Sequence, residues 1–247
     1  MILNHFPNFR EFPELPTGVI ARARMRPRHR LSGDIVLADA SNKDILFVIG
    51  GIVSHGAAAA FSGSIVRNLI VAARRELERT PKGRLLPALA SILHRELVTA
   101  ELARPLLPIV FVLVDTEQWM IEVLNCGSHA IPIRIRNGEA THLTESSLPL
   151  GFIAPGDLPF WRDQILEGDS FLFLTDGIIE QSESYDIHSM LRHIAELARE
   201  GPEDFIGAVF GRLDKLGVAE PQDDDQTLLA LSFRGAMARG LSQDRTY

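Results

Sequence analysis

Apolar runs and amphipathic segments alternate in blocks along this chain. Two short apolar runs at 34–40 and 45–51 are joined by a polar turn, which predicts a pair of strands. From residue 56 to about residue 79, and again up to Pro105, apolar residues recur every three or four positions, which predicts two helices. The apolar positions expected to face the core are Ala58, Phe61, Ile65, Leu69 and Ala72 in the first helix, and Leu86, Leu89, Leu93 and Leu97 in the second.

More predicted strands and a second pair of predicted helices follow in the rest of the chain. Runs at 109–115, 119–125 and 130–136 predict three strands, and Asn137-Gly138 after the third is a typical hairpin turn. The proline- and glycine-rich stretch 146–168 predicts loops. The continuous apolar run 171–174 predicts a strand buried on both faces. Two helices at about 186–199 and 202–216 and a last strand at 227–233 complete the pattern.

The predicted helices come in pairs between groups of strands, not singly between successive strands. This order argues against a doubly wound parallel sheet and predicts an α+β fold of antiparallel sheets with helix pairs packed outside. The length of 247 residues fits one domain. We place it at residues 21–234, with 1–20 as an N-terminal arm and 235–247 as a tail that is expected to be disordered.

Composition narrows the possible partners and compartment. A net charge of −7 argues against a nucleic-acid backbone as the main partner, although 22–30 is a basic stretch that is either a solvated lead-in strand or an anion contact. The longest apolar run, 106–114, is too short to cross a bilayer, so no membrane partner is expected. No secretory leader opens the sequence, and a single cysteine, Cys126, fits a reducing compartment. We expect a cytoplasmic location.

Three acidic clusters lie far apart in sequence, each beside a strand-like run. Asp34 precedes the first run, Asp176 follows the run 171–174, and the acids at 223–225 precede the last strand. Carboxylates at the ends of rigid elements can converge into a metal site. Asp176 in Thr-Asp-Gly is alternatively a turn residue, and 223–225 is alternatively a solvated loop. A thiol enzyme using Cys126 is disfavoured because most free cysteines are buried and inert.

Several motifs follow one another in a fixed order along the chain. They read SGD, IGGIVSHG, NCGSH, SLPLG, FLTDGIIE and DDQTL, and span about residues 20–234. In this order they resemble the SpoIIE-type serine phosphatases of the PPM superfamily. The resemblance implies a four-layer αββα sandwich of two antiparallel sheets flanked by helix pairs.

The resemblance also implies a pair of Mn²⁺ or Mg²⁺ ions, with a metal-bound water as nucleophile and no catalytic side chain. The implied metal ligands are Asp34, Asp176 and Asp224, with Asp225 as a substitute ligand or a supporting neighbour. Gly177 is implied to allow a sharp backbone turn beside the ions, and Arg30 to bind phosphate.

One departure from the family pattern bears directly on activity. The family carries a bridging aspartate in a D-V-S-G-H-G motif, and the matching position here is Gly51. A second acid, often found shortly after the SGD aspartate, is Leu37 here. Losing a bridging carboxylate is expected to lower metal affinity or rate by orders of magnitude. Whether Asp44, Asp225 or Glu180 compensates stays open at this point.

Two functions therefore follow from the sequence. The first is a metal-dependent protein serine/threonine phosphatase with weakened activity, acting on a phosphorylated regulatory protein. The second is a catalytically inactive pseudophosphatase that serves as a protein-binding module in bacterial partner-switching signalling. In both cases the resemblance implies a protein partner such as an anti-sigma-factor antagonist.

Overall fold

The computed structural model describes residues 2–3, 10–12, 15–28, 32–41, 43–52, 56–99, 106–128, 131–143, 145–152, 158, 160–179, 187–201, 204–215 and 224–234. The strands are β1 (Ile2–Leu3), β2 (Arg10–Glu11), β3 (Val19–Arg26), β4 (Asp34–Ala40), β5 (Asp44–Gly51), β6 (Ile109–Asp115), β7 (Met120–Cys126), β8 (Ile131–Arg136), β9 (Glu139–His142), β10 (Trp161–Gln164), β11 (Ser170–Leu174) and β12 (Gln226–Phe233). The helices are α1 (Gly56–Glu76), α2 (Lys82–Thr99), α3 (Asp176–Ile179), α4 (Ile187–Glu200) and α5 (Phe205–Lys215).

The strands form two six-stranded antiparallel sheets. The first has the order β1-β4-β5-β6-β7-β10, and the second has the order β2-β3-β12-β11-β8-β9. Helices α1 and α2 cover the outer face of the first sheet, and α3, α4 and α5 cover the outer face of the second. The predicted four-layer αββα sandwich is confirmed.

Alternation along β5 shows why its sequence is a continuous apolar run. Ile45, Phe47 and Ile49 point into the core between the two sheets. Leu46 and Val48 point the other way, into the layer beneath α1 and α2. Because both faces of the strand are covered, neither can be polar. The same holds for β11, whose five residues are all buried, as predicted for 171–174.

The buried face of α1 differs from the predicted one. Phe61 is 68% exposed, whereas Val66, Ile70 and Ala73 are buried against the first sheet. Leu69 is only partly buried. Because α1 is apolar or small around much of its circumference, periodicity predicted the helix but not which stripe faces the sheet. In α2 all four predicted leucines are buried.

The loop prediction for 146–168 missed β10. Residues Trp161–Gln164 pair with β7 at the edge of the first sheet. Arg134 of β8 joins this edge to the second sheet through a 2.6 Å ion pair with Asp163. Asn137 and Gly138 have φ values of 53° and 77°, and this confirms the predicted hairpin between β8 and β9.

The basic stretch 22–30 begins inside β3, which pairs with β12 along its whole length. The guanidinium groups of Arg24 and Arg26 lie 4.4 and 5.0 Å from the ring centre of buried Phe210. Arg26 also forms a 2.7 Å ion pair with Asp214. These arginines thus pack against α5, and Arg30 lies outside the described residues.

The described helices include no segment that is both long and apolar enough to cross a membrane.

Candidate functional site

The predicted acidic clusters meet at one end of the sandwich. Asp34 opens β4 opposite Gly51, the last residue of β5. In the second sheet β11 and β12 are antiparallel neighbours, so the residues after β11 and before β12 lie at the same end of the strands. Asp176, Asp224 and Asp225 lie at that end.

Asp34 joins the two sheets through hydroxyl groups of the second. Thr227 Oγ1 donates to Asp34 Oδ2 at 2.6 Å, and Thr175 Oγ1 donates to the same oxygen at 3.3 Å. The side chain lies within the sandwich, and the residue is only 9% exposed. Both threonines belong to the FLTDGIIE and DDQTL motifs, and nothing in those motifs predicted this contact.

The pKa of Asp34 is raised well above its usual value. The main cause is burial, which removes water from the charged form. The hydrogen bond from Thr227 opposes this effect. The nearby charges of Asp225, Asp176 and Asp224 add to it. These acids therefore lie near enough to Asp34 to repel its negative charge.

Asp225 ties the start of β12 to the segment between β3 and β4. Its Oδ1 accepts a hydrogen bond from the Arg28 backbone N–H at 2.7 Å. Its Oδ2 accepts from Ser32 Oγ at 2.7 Å and from the Gly33 backbone N–H at 2.9 Å. Both carboxylate oxygens are thus used by protein donors, which is the pattern of a structural carboxylate.

Gly177 allows the closest backbone approach at this end. A Cβ atom placed on Gly177 would lie 2.0 Å from the carbonyl oxygen of Asp225. The predicted need for glycine here thus has a concrete cause in the packing of α3 against the start of β12. The Gly177 N–H donates to Asp176 Oδ1 at 3.0 Å, and the Asp225 N–H donates to Asp224 Oδ1 at 2.8 Å. Asp176 is partly exposed and Asp224 is exposed.

Gly51 faces the Asp34 carboxylate directly. A Cβ atom on Gly51 would lie 2.7 Å from Asp34 Oδ1, closer than real Cβ contacts come. At the neighbouring position, a Cβ on Gly50 would lie 2.4 Å from the Pro108 carbonyl oxygen. The end of β5 is therefore packed for glycine. The carboxylate of Asp34 lies where a side chain at position 51 would begin.

The other acids considered from the sequence lie elsewhere. Leu37 is buried beneath α1 and α2, on the opposite face of β4 from the core between the sheets. Asp44 lies at the far end of β5, about 23 Å from Gly51 at 3.3 Å per residue. It pairs there with Arg74 and accepts from Ser41. Asp44 thus cannot compensate for Gly51.

Some predicted residues lie outside the described part of the chain, namely Arg30, Glu180 and Asp223. Cys126 is fully buried, and burial raises the pKa of its thiol to about 12. A thiolate nucleophile is therefore disfavoured, as the sequence predicted.

In the described part of the chain, these donors are not arranged as a two-metal centre. Mg²⁺ demands near-octahedral oxygen coordination at about 2.0–2.1 Å. Among the described residues, no group of three or more His, Cys, Asp and Glu side chains is arranged to hold a metal ion. Asp34 and Asp225 already accept protein hydrogen bonds, and Gly51 supplies no ligand. Metal ligation by the four predicted aspartates stays a prediction.

A family model named Stage II sporulation protein E (SpoIIE) matches residues 41–234. The chain belongs to the SpoIIE family. The match covers most of the sandwich, including Gly51, Gly177 and the aspartates at 176, 224 and 225. No curated protein matches this chain.

Solved structures of SpoIIE-type and PP2C phosphatase domains share this fold. The phosphatase domain of SpoIIE from Bacillus subtilis, solved with a fragment of its regulatory domain, superposes with a TM-score of 0.74 at 18% identity, covering 96% of this chain and 70% of that chain. The SiaA PP2C domain of Pseudomonas aeruginosa gives a TM-score of 0.71 at 18% identity, covering 87% and 85%. RsbX in complex with magnesium gives 0.67 at 13% identity, covering 92% and 100%. The SpoIIE family member described here thus has the PPM phosphatase fold.

Proposed function

We propose that this SpoIIE-type domain is a pseudophosphatase. Its function is to bind a regulatory protein, and its metal-dependent hydrolysis of phosphoserine and phosphothreonine is lost. The observation that carries the proposal is the contact between Gly51 and Asp34.

A missing ligand alone would leave a gap that water could fill. Here the Asp34 carboxylate lies within 2.7 Å of the Cβ position of Gly51. Hydroxyl groups of Thr227 and Thr175 hold that carboxylate in place. A side chain at position 51 would therefore have to displace the Asp34 carboxylate from these hydroxyl groups. This packing supports a domain that keeps the family's fold without its metal chemistry.

Burial and hydrogen bonding also argue against metal binding by the aspartates at this end of the sandwich. Burial and the neighbouring acids raise the pKa of Asp34, which disfavours the charged form that binds cations. Asp225 already accepts three hydrogen bonds, from Arg28, Ser32 and Gly33, and these orient its carboxylate towards the protein. Asp176 and Asp224 alone supply fewer carboxylates than a two-ion centre requires.

A second candidate is the weakened phosphatase. It is favoured by the electrostatic interaction of Asp34 with Asp176, Asp224 and Asp225. Such convergence of like charges is typical of sites that bind cations. In this candidate Asp176 and Asp224 would bind an ion, with Arg30 on the phosphate.

The proposed partner is a phosphorylated regulatory protein of the anti-sigma-factor antagonist type. The proposed compartment for this interaction is the cytoplasm. Support comes from the family and from two structural relatives. The RsbU and RsbW domains of Rv1364c from Mycobacterium tuberculosis give a TM-score of 0.67 at 21% identity, and a structure from work on the bacterial stressosome gives 0.58 at 20% identity.

The deciding experiment is a calorimetric Mn²⁺ titration of the full chain with a parallel assay on a phosphoserine peptide. The matched controls are Asp176→Asn and Asp224→Asn, which remove charge from exposed or partly exposed carboxylates. We expect no turnover above the Mn²⁺ background and the same weak heat in all three proteins. Turnover by the wild type that disappears in Asp176→Asn would overturn the pseudophosphatase and establish the second candidate.

Binding is tested separately by interferometry against a purified anti-sigma-factor antagonist in phosphorylated and unphosphorylated forms. The proposal expects saturable binding of at least one form that persists in EDTA, since binding does not depend on metal. Absence of binding to both forms would remove the proposed partner class.

A further inference from the structure

A groove runs along the outside of the second sheet between α4 and α5. It encloses about 410 Å³. Its α5 side is formed by small residues, Gly207, Ala208 and Gly211, and its α4 side by His193 and Leu197. Among the described residues the groove is open to solvent, and its lining includes the buried residues His193 and Leu197.

Gly211 is not explained by packing within the chain. A Cβ atom on Gly211 would meet no described atom within 4 Å, so the described part of the chain leaves space for alanine there. Gly207 is different, because a Cβ there would lie 2.4 Å from Asp204 Oδ2. Glycine in the interior of a helix costs about 1 kcal/mol relative to alanine. A glycine that the fold does not need is expected where another backbone approaches closely.

The exposed rims of the groove carry opposite charges at its two ends. Four residues, Gly201 to Asp204, connect α4 and α5, and such a short connection makes the two helices antiparallel neighbours. Glu196 and Glu200 therefore lie towards the connection, and Arg212 and Lys215 lie towards the other end. The groove is thus acidic at one end and basic at the other.

This charge order makes the surface complementary to itself. A two-fold axis across the centre of the groove places the acidic end of one copy against the basic end of the other, and does so twice. The small residues of α5 let two such helices pack at a short interaxial distance. A surface that binds a different protein does not need to be complementary in charge to a second copy of itself.

We propose that this groove is the interface of a homodimer, in which α5 of one copy packs antiparallel on α5 of a second copy. Gly211 lies at the close approach of the two helices. Glu196 and Glu200 of each protomer face Arg212 and Lys215 of its partner. This inference is independent of the proposed function, since it uses none of Asp34, Gly51, Asp176, Asp224 and Asp225.

The test is a mixing experiment with two charge-reversed proteins. One carries Glu196→Lys and Glu200→Lys, and the other carries Arg212→Glu and Lys215→Glu. Each alone places like charges opposite each other, so its dimer affinity is expected to fall at least about tenfold below wild type. Mixed in equal amounts, the two restore complementary charges at both ends and are expected to form a heterodimer. Sedimentation velocity over a concentration series measures all three samples.

Gly211→Leu tests the close approach without changing charge. Its Cβ atom has space in the described part of the chain, whereas the dimer is expected to weaken at least about tenfold. Ser91→Leu on the exposed face of α2 is the matched control and is expected to leave the dimer unchanged. Thermal melts of both variants verify that each is folded.

Three outcomes would overturn the proposal. The wild type could remain monomeric at about 500 µM, where even a weak specific dimer is visible. The charge-reversed proteins could fail to associate when mixed. Gly211→Leu could dimerise as well as Ser91→Leu, which would place any dimer interface on another surface.

Discussion

Thr227 at the start of β12 donates a 2.6 Å hydrogen bond to the carboxylate of Asp34 at the start of β4. The two residues are 193 positions apart in sequence and belong to different sheets. This contact joins the sheets at the end where the acidic motifs meet. It also holds a buried carboxyl in one orientation.

Removing the hydroxyl of Thr227 is expected to destabilise the domain. Thr227→Val keeps the shape of the side chain but leaves a buried carboxyl without its shortest hydrogen bond, which costs about 1–3 kcal/mol. Thr227→Ser keeps the hydroxyl and serves as the control. Urea unfolding at neutral pH measures both, and equal stability of the two variants would show that the contact contributes nothing.

Asp34 makes stability depend on pH. Because its folded-state pKa is raised above the usual 3.8, the folded protein holds a proton there that the unfolded chain releases. This contribution to stability is present below pH 3.8 and is lost as pH rises through the folded-state pKa. Asp34→Asn cannot ionise and keeps an acceptor for Thr227. It is therefore expected to gain stability over wild type as pH rises from about 4 to 8.

The measurement is urea unfolding of both proteins in EDTA across that pH range. A stability difference between Asp34→Asn and wild type that stays constant with pH would contradict the raised pKa.

Gly51→Asp tests the alignment to the bridging position. In EDTA the new side chain meets the Asp34 carboxylate and adds a charge beside it, so we expect a loss of about 1–3 kcal/mol, more than for Gly51→Ala. If position 51 faces a cation site, Mn²⁺ raises the melting temperature of Gly51→Asp but not of Gly51→Ala or wild type. The same Mn²⁺ response in all three proteins would show that position 51 faces no ion.

Gly177→Ala is expected to be among the most damaging single-methyl changes. Its Cβ would lie 2.0 Å from the backbone carbonyl of Asp225, so α3 or the start of β12 must move, at a cost of about 3 kcal/mol or more. Gly63→Ala in α1 is the control. Its Cβ would lie 3.5 Å or more from its neighbours, and helix propensity favours alanine there. Equal melting temperatures for the two variants would contradict the close approach.

The pattern of apolar and polar positions was enough to predict most helices and strands and the overall architecture. Strands such as Ile109–Asp115 and the helix carrying Leu86, Leu89 and Leu93 appear as predicted, because continuous apolar runs and three-to-four spacing directly reflect burial. The edge strand Trp161–Gln164 was missed because its half-buried residues follow a stretch rich in proline and glycine. The stripe of α1 that faces the sheet was misassigned because the helix carries alanine and larger apolar residues on most of its sides.

The sequence by itself determined that acids and glycines lie beside the ends of strands, since short motifs beside strands are local features. It could not determine what each residue does there, because that depends on partners far away in the chain. Only the tertiary structure placed Asp225 on three donors from the β3–β4 segment and buried Asp34 between Thr227 and Gly51. Hydrogen bonding and desolvation arise when the two sheets pack together, and they decide whether a carboxylate serves as a ligand or as a structural tie.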